Sequence, residues 1–315
     1  MCDEPLVSVV FSFRNEREVL SELIRRVTTM FGALPFRHEM IFVDDASTDD
    51  SLSLLTEERE GNRAIHIVSM SRRFGVAPCV LAGFRHARGD AVIYMDADLQ
   101  DPPEVIPALL DAWQAGAEVV HTVRTARHGE SSVKMWLTRQ AYRLINRVAS
   151  IDIRENAGDF KLLSRRAVDA LLEIEEPDPF LRGMVAWIGF RQDTVPYERE
   201  ARFAGRTKFS LLRSSNPYKE FVRGLTAFSV MPLYVAVWAG VILGLVGFIW
   251  LAWLIIAGCF SEEGWSAVMG MLVLLAGVIL VAIGVLGIYV GNMHQALKRR
   301  PGYIIRERVG FDEDR

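Results

Sequence analysis

The sequence predicts an α/β protein in which a mostly parallel β-sheet is followed by two transmembrane α-helices. Short apolar runs alternate with helical patterns through the first part of the chain, and this alternation is typical of a sheet covered by helices on both faces. Further along, no Asp, Glu, Lys or Arg occurs from Gly224 to Ser261 or from Gly264 to Leu297. A membrane-spanning helix needs about 20 apolar residues, so each stretch is long enough for one span.

Each element of the predicted sheet follows from its own pattern. Apolar runs predict five strands, at Val7–Phe13, Met40–Val43, Ile65–Val68, Ala91–Met95 and Glu118–Val123. Amphipathic periodicity predicts helices between them, at Val19–Met30, Ser51–Glu60 and Val76–Ala87. Pro102 and Pro103 open a fourth helix that runs through Trp113, because proline suits the first turn of a helix.

The two spans are expected at roughly Phe228–Ala257 and Trp265–Gly291. A pair of buried core helices is the alternative, but soluble helices of this length normally carry charged residues. Basic residues flank the spans, at Arg206, Lys208, Arg213, Lys219 and Arg223 before the first and at Lys298, Arg299, Arg300, Arg306 and Arg308 after the second. The connector contains Glu262 and Glu263 and no basic residue. The positive-inside bias therefore places the large N-terminal region and both termini in the cytoplasm.

Composition limits the classes of function. The chain has 315 residues and a formal net charge of −3, from 36 Lys and Arg against 39 Asp and Glu. This balance argues against a general nucleic-acid binder, which usually has a basic excess. Half of the residues are hydrophobic, which excludes a disordered chain. The cysteines Cys2, Cys79 and Cys259 have no zinc-site spacing and suggest no disulfide framework.

Polar residues follow three of the predicted strands. The first strand runs into Arg14-Asn15-Glu16, the second into Asp44-Asp45 and the fourth into Asp96-Ala97-Asp98. Ligands bind beyond the carboxyl ends of such strands, and paired carboxylates suit a hard cation that also binds substrate phosphates. The glycine motifs of dinucleotide and P-loop sites are absent from the sequence. The strand ends therefore favour a metal-bridged diphosphate and a ribose.

Longer motifs carry a family resemblance. They are Val43–Asp49, Ser71–Gly75, Ala82–Phe84, Gly89–Asp90, Met95–Glu104, Gly158–Leu163 and Arg199–Lys208. With the two spans and the Arg300-Pro301-Gly302-Tyr303 tail, the chain resembles the polyprenyl-phosphate glycosyltransferases over nearly its whole length. These are inverting, family-two enzymes of the GT-A fold, and they include dolichyl-phosphate mannose synthase and bacterial undecaprenyl-phosphate sugar transferases. The resemblance implies a GT-A, Rossmann-like cytoplasmic domain.

The resemblance also implies roles for individual residues. Asp96 and Asp98 match the metal motif and Gln100 a neighbouring metal-site position, so Mg²⁺ or Mn²⁺ is the implied cofactor. Asp159 matches the acidic residue near the sugar and the attacking group. Asp159 and Asp98 are therefore the two implied catalytic residues. Residues implied to bind the nucleotide sugar are Ser12, Arg14, Glu16, Asp44, Asp45, Arg72 and Asp96. Residues implied to bind the phosphates and the acceptor are Arg199, Arg202, Arg206 and Lys208.

Two motifs depart from the family pattern. The family usually has Pro-x-Tyr-Asn-Glu after the first strand, where this chain has Ser12-Phe13-Arg14-Asn15-Glu16. The usual Arg-Asn-x-Gly is Arg72-Arg73-Phe74-Gly75 here. Contacts to the nucleotide base from the first strand are therefore less firmly implied than the metal site.

The implied reaction is metal-dependent, inverting transfer of a sugar from a nucleotide sugar, such as UDP-glucose, to a polyprenyl phosphate, such as undecaprenyl phosphate. It would take place at the cytoplasmic face of the inner membrane, in a multi-pass protein. Alternatives are a GDP-mannose-dependent mannose synthase, a processive polysaccharide synthase and a catalytically silent membrane scaffold. Processive synthases usually carry Gln-x-x-Arg-Trp and more spans, and this sequence has neither.

The expected partners are a nucleotide sugar, a polyprenyl-phosphate lipid and the membrane, with no nucleic acid. The small-residue spacing of Gly240, Gly244 and Gly247 suits close helix contact in a homo-oligomer such as a tetramer. We expect four regions. They are a cytoplasmic glycosyltransferase domain (1–208), an interfacial amphipathic segment (209–226), a two-helix transmembrane domain (227–291) and a cytoplasmic basic tail (292–315).

Overall fold

The computed structural model describes residues 4–125, 157–176, 179–199, 229–257 and 264–311, with the single residues 140, 143 and 226. Within these ranges the strands are β1 (Leu6–Phe13), β2 (Arg37–Asp44), β3 (Ile65–Met70), β4 (Ala91–Asp96), β5 (Val119–Arg124), β6 (Ala157–Ser164), β7 (Gln192–Tyr197) and β8 (Ile305–Val309). The helices are α1 (Arg17–Phe31), α2 (Ser51–Gly61), α3 (Val76–His86), α4 (Ile106–Gln114), α5 (Arg165–Leu172), α6 (Leu181–Trp187), α7 (Met231–Ala257) and α8 (Gly264–Leu297). A 3₁₀ turn, Pro103–Val105, precedes α4.

All eight strands belong to one sheet, in the order β7-β5-β6-β4-β1-β2-β3-β8. The central strands β4, β1, β2 and β3 are parallel. β6 is antiparallel to both β4 and β5, and β8 is antiparallel to β3. The predicted α/β class with a mostly parallel sheet is therefore confirmed.

The core fills both faces of this sheet. Alternate residues of β1 contribute to opposite sides, with Val9 and Phe11 packing in the cluster that includes α1 and Val10 in the cluster that includes α3. Gly83 lets α3 approach β1 closely, because a Cβ at this position would collide with Val10. This burial on both faces explains why β1 has a continuous apolar run.

The structure contains three strands that the sequence analysis did not predict. β6 carries the polar residues Asp159 and Lys161 inside an apolar run, and the edge strand β7 contains Pro196. β8 comes after the apolar helices and contains three charged residues. It pairs with the edge of β3, with Arg308 opposite Val68. The chain therefore returns from its two apolar helices to complete the sheet.

The last two helices are long and apolar enough to cross a membrane. Their spans, Met231–Trp250 and Leu274–Leu297, have mean hydropathies of 2.2 and 2.6, and neither is buried inside the protein. The 34 residues of α8 extend about 51 Å at 1.5 Å per residue, beyond a hydrocarbon core of about 30 Å. The Tyr289 hydroxyl donates to the Ser229 carbonyl oxygen at 2.6 Å, which links α8 to the start of α7.

The expected four-region division stays a prediction, because its boundaries near 208 and 226 fall in or beside segments outside the described residues. The basic residues Arg213, Lys219 and Arg223 and the connector acids Glu262 and Glu263 also lie outside them. The membrane topology and the homo-oligomer expected from the sequence also stay predictions. A Cβ added to Gly240 or Gly244 would meet no described atom within 4 Å.

Candidate active site

The predicted polar strand ends meet at one edge of the sheet. Register places Asp96 of β4 opposite Ser12 of β1, and Asp44 of β2 opposite Phe13 of β1. Neighbouring strands lie about 4.8 Å apart, so these ends form one continuous edge. On the other side of β4, Lys161 of β6 lies opposite Tyr94. This pairing brings Asp159 of β6 close to Asp96.

Asp96 lies in an environment rich in carboxylates. The buried Tyr94 hydroxyl donates to its Oδ1 at 2.7 Å. Burial, followed by the negative charge of Asp159, raises the pKa of Asp96 to about 7, although the Tyr94 hydrogen bond acts in the opposite direction. Asp98 and Asp101 add to the increase. This mutual repulsion favours the binding of a cation.

A tight turn follows Asp96 and positions the other two predicted metal ligands. The backbone N–H of Gln100 donates to Asp98 Oδ1 at 3.1 Å. Leu99, between them, has a φ of 55°, a left-handed backbone conformation that residues other than glycine rarely adopt. Asp98 is buried and Gln100 half-buried. The strained turn therefore holds Asp98 directly beside the end of β4.

The donor set fits a hard divalent cation. Asp96 and Asp98 offer carboxylate oxygens and Gln100 offers an amide oxygen. Mg²⁺ and Mn²⁺ prefer such oxygen ligands. Among the described residues, no three His, Cys, Asp or Glu side chains could hold a metal ion by themselves. Mg²⁺ commonly binds through one or two carboxylates and completes its shell with water and substrate phosphates. Two carboxylates and Gln100 match that pattern.

Asp44 and Asp45 have different partners at the end of β2. Asp44 Oδ1 accepts the backbone N–H of Ser47 at 2.9 Å. Asp45 Oδ1 accepts the N–H groups of Phe74 and Gly75 at 2.6 and 3.2 Å, and its Oδ2 accepts that of Gly75 at 3.1 Å. The Asp45 carboxylate thus binds the loop that carries Arg72, so it acts on that loop directly.

Arg72 extends from the loop that Asp45 holds. Its guanidinium group lies 4.1 Å from the centroid of the Phe74 ring, and Nη1 donates to the Arg73 carbonyl oxygen at 3.2 Å. The side chain is exposed. Asp45 therefore contacts the backbone of Phe74, the residue on whose ring Arg72 stacks.

The loop after β1 is tied to the loop after β2. The Asn15 N–H donates to Ser47 Oγ at 3.0 Å, and its Oδ1 accepts the Thr48 N–H at 2.8 Å. Asn15 itself has a φ of 54°. These contacts fix the segment that contains Arg14 and Glu16, both half-buried, while Ser12 is buried at the end of β1. The three predicted residues therefore lie at the same edge as Asp44.

Asp159 forms an ion pair that the sequence analysis did not predict. Arg182 of α6 donates through Nε to Oδ1 at 2.8 Å and through Nη2 to Oδ2 at 2.7 Å. Burial alone would raise the pKa of Asp159, but Arg182, with Lys161 and Arg124, holds it well below its usual range. Lys161 is fully buried, and burial lowers its pKa to about 8 against the opposing charge of Asp159. Asp159 is therefore an ionised carboxylate and a poor proton acceptor.

A second unpredicted cluster surrounds Asp101, which is 1% exposed. The Tyr197 hydroxyl donates to Asp101 Oδ1, and Arg124 Nε donates to that hydroxyl at 3.1 Å. Arg199 Nε lies 3.5 Å from the same carboxylate oxygen. Burial raises the pKa of Asp101 despite these partners. Burial and the charge of Asp101 raise the pKa of Tyr197 to about 12, although Arg124 acts in the opposite direction. Asp101 thereby fixes the end of β7, where the basic segment begins.

The structure describes one of the four predicted phosphate-binding residues. Arg199 follows β7 and lies beside Asp101. Arg202, Arg206 and Lys208 lie outside the described residues. The sequence signal for Asp101 was its place in the Asp96–Pro103 block. Arg182 and Tyr197 gave no such signal, because their partners come from elements distant in the chain. Lys161 lies in the Gly158–Leu163 motif, but its full burial is a tertiary property.

The chain is similar in sequence to known glycosyltransferases. The sequence model for Glycosyl transferase family 2 matches residues 8–172, a range that runs from within β1 to the end of α5. The SfII prophage-derived bactoprenol glucosyl transferase of Shigella flexneri is 35% identical over 304 residues, which cover 96% of this chain and 97% of that protein. The prophage bactoprenol glucosyl transferase homolog of Escherichia coli (strain K12) is 34% identical over 303 residues, covering 95% and 98%.

One solved structure aligns with part of this chain. The crystal structure of glucosyl-3-phosphoglycerate synthase from Mycobacterium tuberculosis, in complex with phosphoglyceric acid, aligns with a TM-score of 0.48 and 19% sequence identity. The alignment covers 71% of this chain and 79% of that one.

Proposed function

The chain belongs to glycosyl transferase family 2 and is a glycosyltransferase, and from this premise we propose that it transfers glucose from UDP-glucose to a polyprenyl phosphate at a membrane. One observation carries the proposal. A bactoprenol glucosyl transferase is 35% identical over 96% of the chain, an alignment long enough to include the sheet and both apolar helices. The acidic strand ends and the basic segment supply the two kinds of charge that the reaction needs.

The proposed step exchanges one bond for another at the sugar. An oxygen of the lipid phosphate forms a bond to the anomeric carbon, the bond from that carbon to the diphosphate breaks, and the nucleoside diphosphate leaves. Direct displacement inverts the configuration at this carbon. A phosphate monoester has its second pKa near about 6, so the lipid phosphate is largely ionised at neutral pH. The reaction therefore needs no strong general base.

We assign the metal site and the orientation of the sugar to different residues. Asp96, Asp98 and Gln100 would hold Mg²⁺ or Mn²⁺, which supplies charge to offset that developing on the leaving diphosphate. Asp159, kept ionised and oriented by Arg182, accepts a hydrogen bond from a sugar hydroxyl. Arg182 thus acts as a positioning residue through Asp159.

Basic and nucleotide-binding residues complete the proposed site. Asp44 binds the nucleoside, with Ser12, Arg14, Glu16 and Arg72 around the nucleotide sugar, and Asp45 positions Arg72. Arg199, Arg202, Arg206 and Lys208 bind the lipid phosphate, because guanidinium and ammonium groups hold phosphate oxygens close to the anomeric carbon. We place this reaction at the cytoplasmic face of the inner membrane, in a homo-oligomer.

The test measures nucleoside diphosphate release by the purified full-length protein. UDP-glucose and GDP-mannose are each supplied with Mg²⁺, Mn²⁺ or EDTA, with and without undecaprenyl phosphate. Metal-dependent UDP release that requires the lipid, together with a glucose-bearing lipid product, supports the proposal. Lipid-dependent release of GDP alone would favour a mannose synthase. No release from a folded protein that binds UDP would favour a silent scaffold.

A matched pair of variants tests the metal site. Asp98→Asn removes one ligand charge and should lower kcat about 100-fold or more, because electrostatic stabilisation of the leaving group is lost. Asp111→Asn makes the same chemical change on the exposed face of α4 and should leave kcat unchanged. Full activity of the Asp98→Asn protein would refute the metal assignment.

A further inference from the structure

A cavity lies away from the candidate active site. It has a volume of about 1180 Å³ and opens between the end of α3 and β8. Its basic lining residues are Arg85, Arg88, Arg165, Arg306 and Arg308, which we name the arginine groove. Arg88 precedes β4, whereas Asp96 ends it. The six residues of β4 span about 17 Å at 3.3 Å per residue, so the groove and the acidic strand ends are separate.

The groove has an excess of positive charge. Glu307 is the one acidic residue in its lining. Over the ranges of the chain that the structure describes, the side chains of Arg85, Arg306 and Arg308 make no hydrogen bond or ion pair, and all three are exposed. Their charge acts on the neighbouring His86, where Arg308 and Arg85 add to the effect of burial in lowering the pKa. These guanidinium groups are therefore available to an anion.

The remaining walls are rigid and partly apolar. Arg165 is held in place, because its Nε and Nη2 donate to the Gly89 carbonyl oxygen at 3.0 and 2.8 Å. Phe311 packs with its ring centroid 5.2 Å from that of His86. Tyr303 and Ile305 pack on the core cluster that includes α3. The exposed guanidinium groups of the arginine groove thus lie beside side chains that packing and hydrogen bonds hold in place.

We propose that the arginine groove binds the phosphate group of an anionic ligand, separately from the transfer reaction. Guanidinium groups bind phosphate in a bidentate manner, and several lie around a cavity much larger than one phosphate. The ligand is an anionic phospholipid headgroup or a soluble phosphate compound, which share this chemistry.

The chain path favours the headgroup. Lys298, Arg299 and Arg300 are exposed and directly follow the apolar helix α8, and anionic lipids attract basic residues beside a span. Arg306 is nine positions after Leu297 in the chain, a distance of at most about 31 Å at 3.4 Å per residue. The groove is therefore tethered within reach of lipid headgroups.

The experiment measures hydrogen exchange of the β8 amides in the full-length protein in nanodiscs. Phosphatidylcholine alone is compared with an equal mixture of phosphatidylcholine and phosphatidylglycerol. A further sample contains phosphatidylcholine, inorganic phosphate and EDTA. Each condition is applied to wild type, to Arg85→Ala/Arg308→Ala and to the control Arg63→Ala, which removes an exposed arginine outside the groove. Arg85→Ala alone, which leaves β8 intact, serves if the double variant loosens β8.

Phosphatidylglycerol should slow β8 exchange about tenfold in wild type and in the control, the effect of a ligand at about ten times its Kd. The groove variants should lose this protection. Protection by inorganic phosphate alone, lost in the same variants, would support the groove with a soluble ligand as its source. Equal protection of wild type and groove variants, or no protection of wild type by either probe, would overturn the proposal.

Discussion

Arg182 holds the Asp159 carboxylate with two parallel hydrogen bonds, from Nε to Oδ1 at 2.8 Å and from Nη2 to Oδ2 at 2.7 Å. The pair joins helix α6 to strand β6, and the side chains of both residues are 34% exposed. Because this contact keeps the pKa of Asp159 well below its usual range, the carboxylate is better suited to orienting a hydroxyl than to removing a proton. The geometry therefore changes the chemical role expected of Asp159.

Arg182→Ala should lower kcat about 100-fold, because Asp159 then loses both its orientation and its main counter-charge. Arg182→Lys should recover part of this loss, since an ammonium group restores the charge without the bidentate geometry. Steady-state rates of nucleoside diphosphate release give both values. If Asp159 were a general base, the higher pKa in Arg182→Ala would make it a better one, and a rate above wild type would reveal this.

Coupling between the two residues gives an independent check. Asp159→Asn and Arg182→Ala remove the same contact, so the double variant should be no slower than the slower single variant. Strictly additive losses would mean that the residues act separately, against the positioning role of Arg182.

Asp45→Asn should weaken UDP binding about tenfold, with a smaller effect on kcat. The carboxylate accepts N–H groups from Phe74 and Gly75 through both oxygens. An amide has one acceptor oxygen, and its NH₂ group would face another donor. Isothermal titration calorimetry with UDP measures the change. Asp50→Asn, at an exposed position without a side-chain cap, should bind UDP as wild type does, and equal affinity of the two variants would argue against control of the loop by Asp45.

Phe311→Ala should destabilise the protein by about 2 kcal/mol, because a partly buried ring is lost. Phe311 packs against the rings of His66 and His86, at 4.9 and 5.2 Å between centroids, and so anchors the end of β8. Thermal unfolding in detergent measures the loss. The control is Ile304→Ala, whose side chain is 52% exposed and should cost little. Equal melting temperatures for the two variants would show that β8 is not anchored by this ring.

The first five strands were predictable because their signal is local. β1 and β4 are apolar runs that end in polar residues, and parallel pairing of such runs places Ser12 beside Asp96 without further information. Because helices cover both faces of the sheet, its central strands are buried on both sides, and each strand shows a continuous apolar run in the sequence.

The rest of the fold depends on contacts between distant parts of the chain. β8 has the sequence Ile305-Arg306-Glu307-Arg308-Val309, which gives little strand signal, and it becomes a strand because β3 offers an open edge. Arg182 and Tyr197 reach the site only when β6, β7 and α6 have been placed. Asp101 belonged to a recognisable block, but its burial and its contact with Tyr197 are tertiary properties.

Lys161→Met should change how stability depends on pH. The native Lys161 has a pKa of about 8, lowered by burial from 10.5. Between these values the unfolded chain binds a proton that the native chain does not, so the free energy of unfolding contributed by Lys161 rises with pH. Below about pH 8 the full cost of burying the charge is present. Relative to Lys161→Met, wild type should therefore gain stability, on the order of 1 kcal/mol per pH unit at most, as pH increases from about 8 to 10.

Melting temperatures of the two proteins across this pH range measure the effect, and their difference removes the contributions of other titrating groups. That difference is needed because burial also raises the pKa of Cys79 and Tyr94, and such groups lower stability as pH rises through their unfolded pKa values. A difference for Lys161→Met that is constant with pH would mean that Lys161 keeps its proton in the native state, and that the charge of Asp159 compensates its burial.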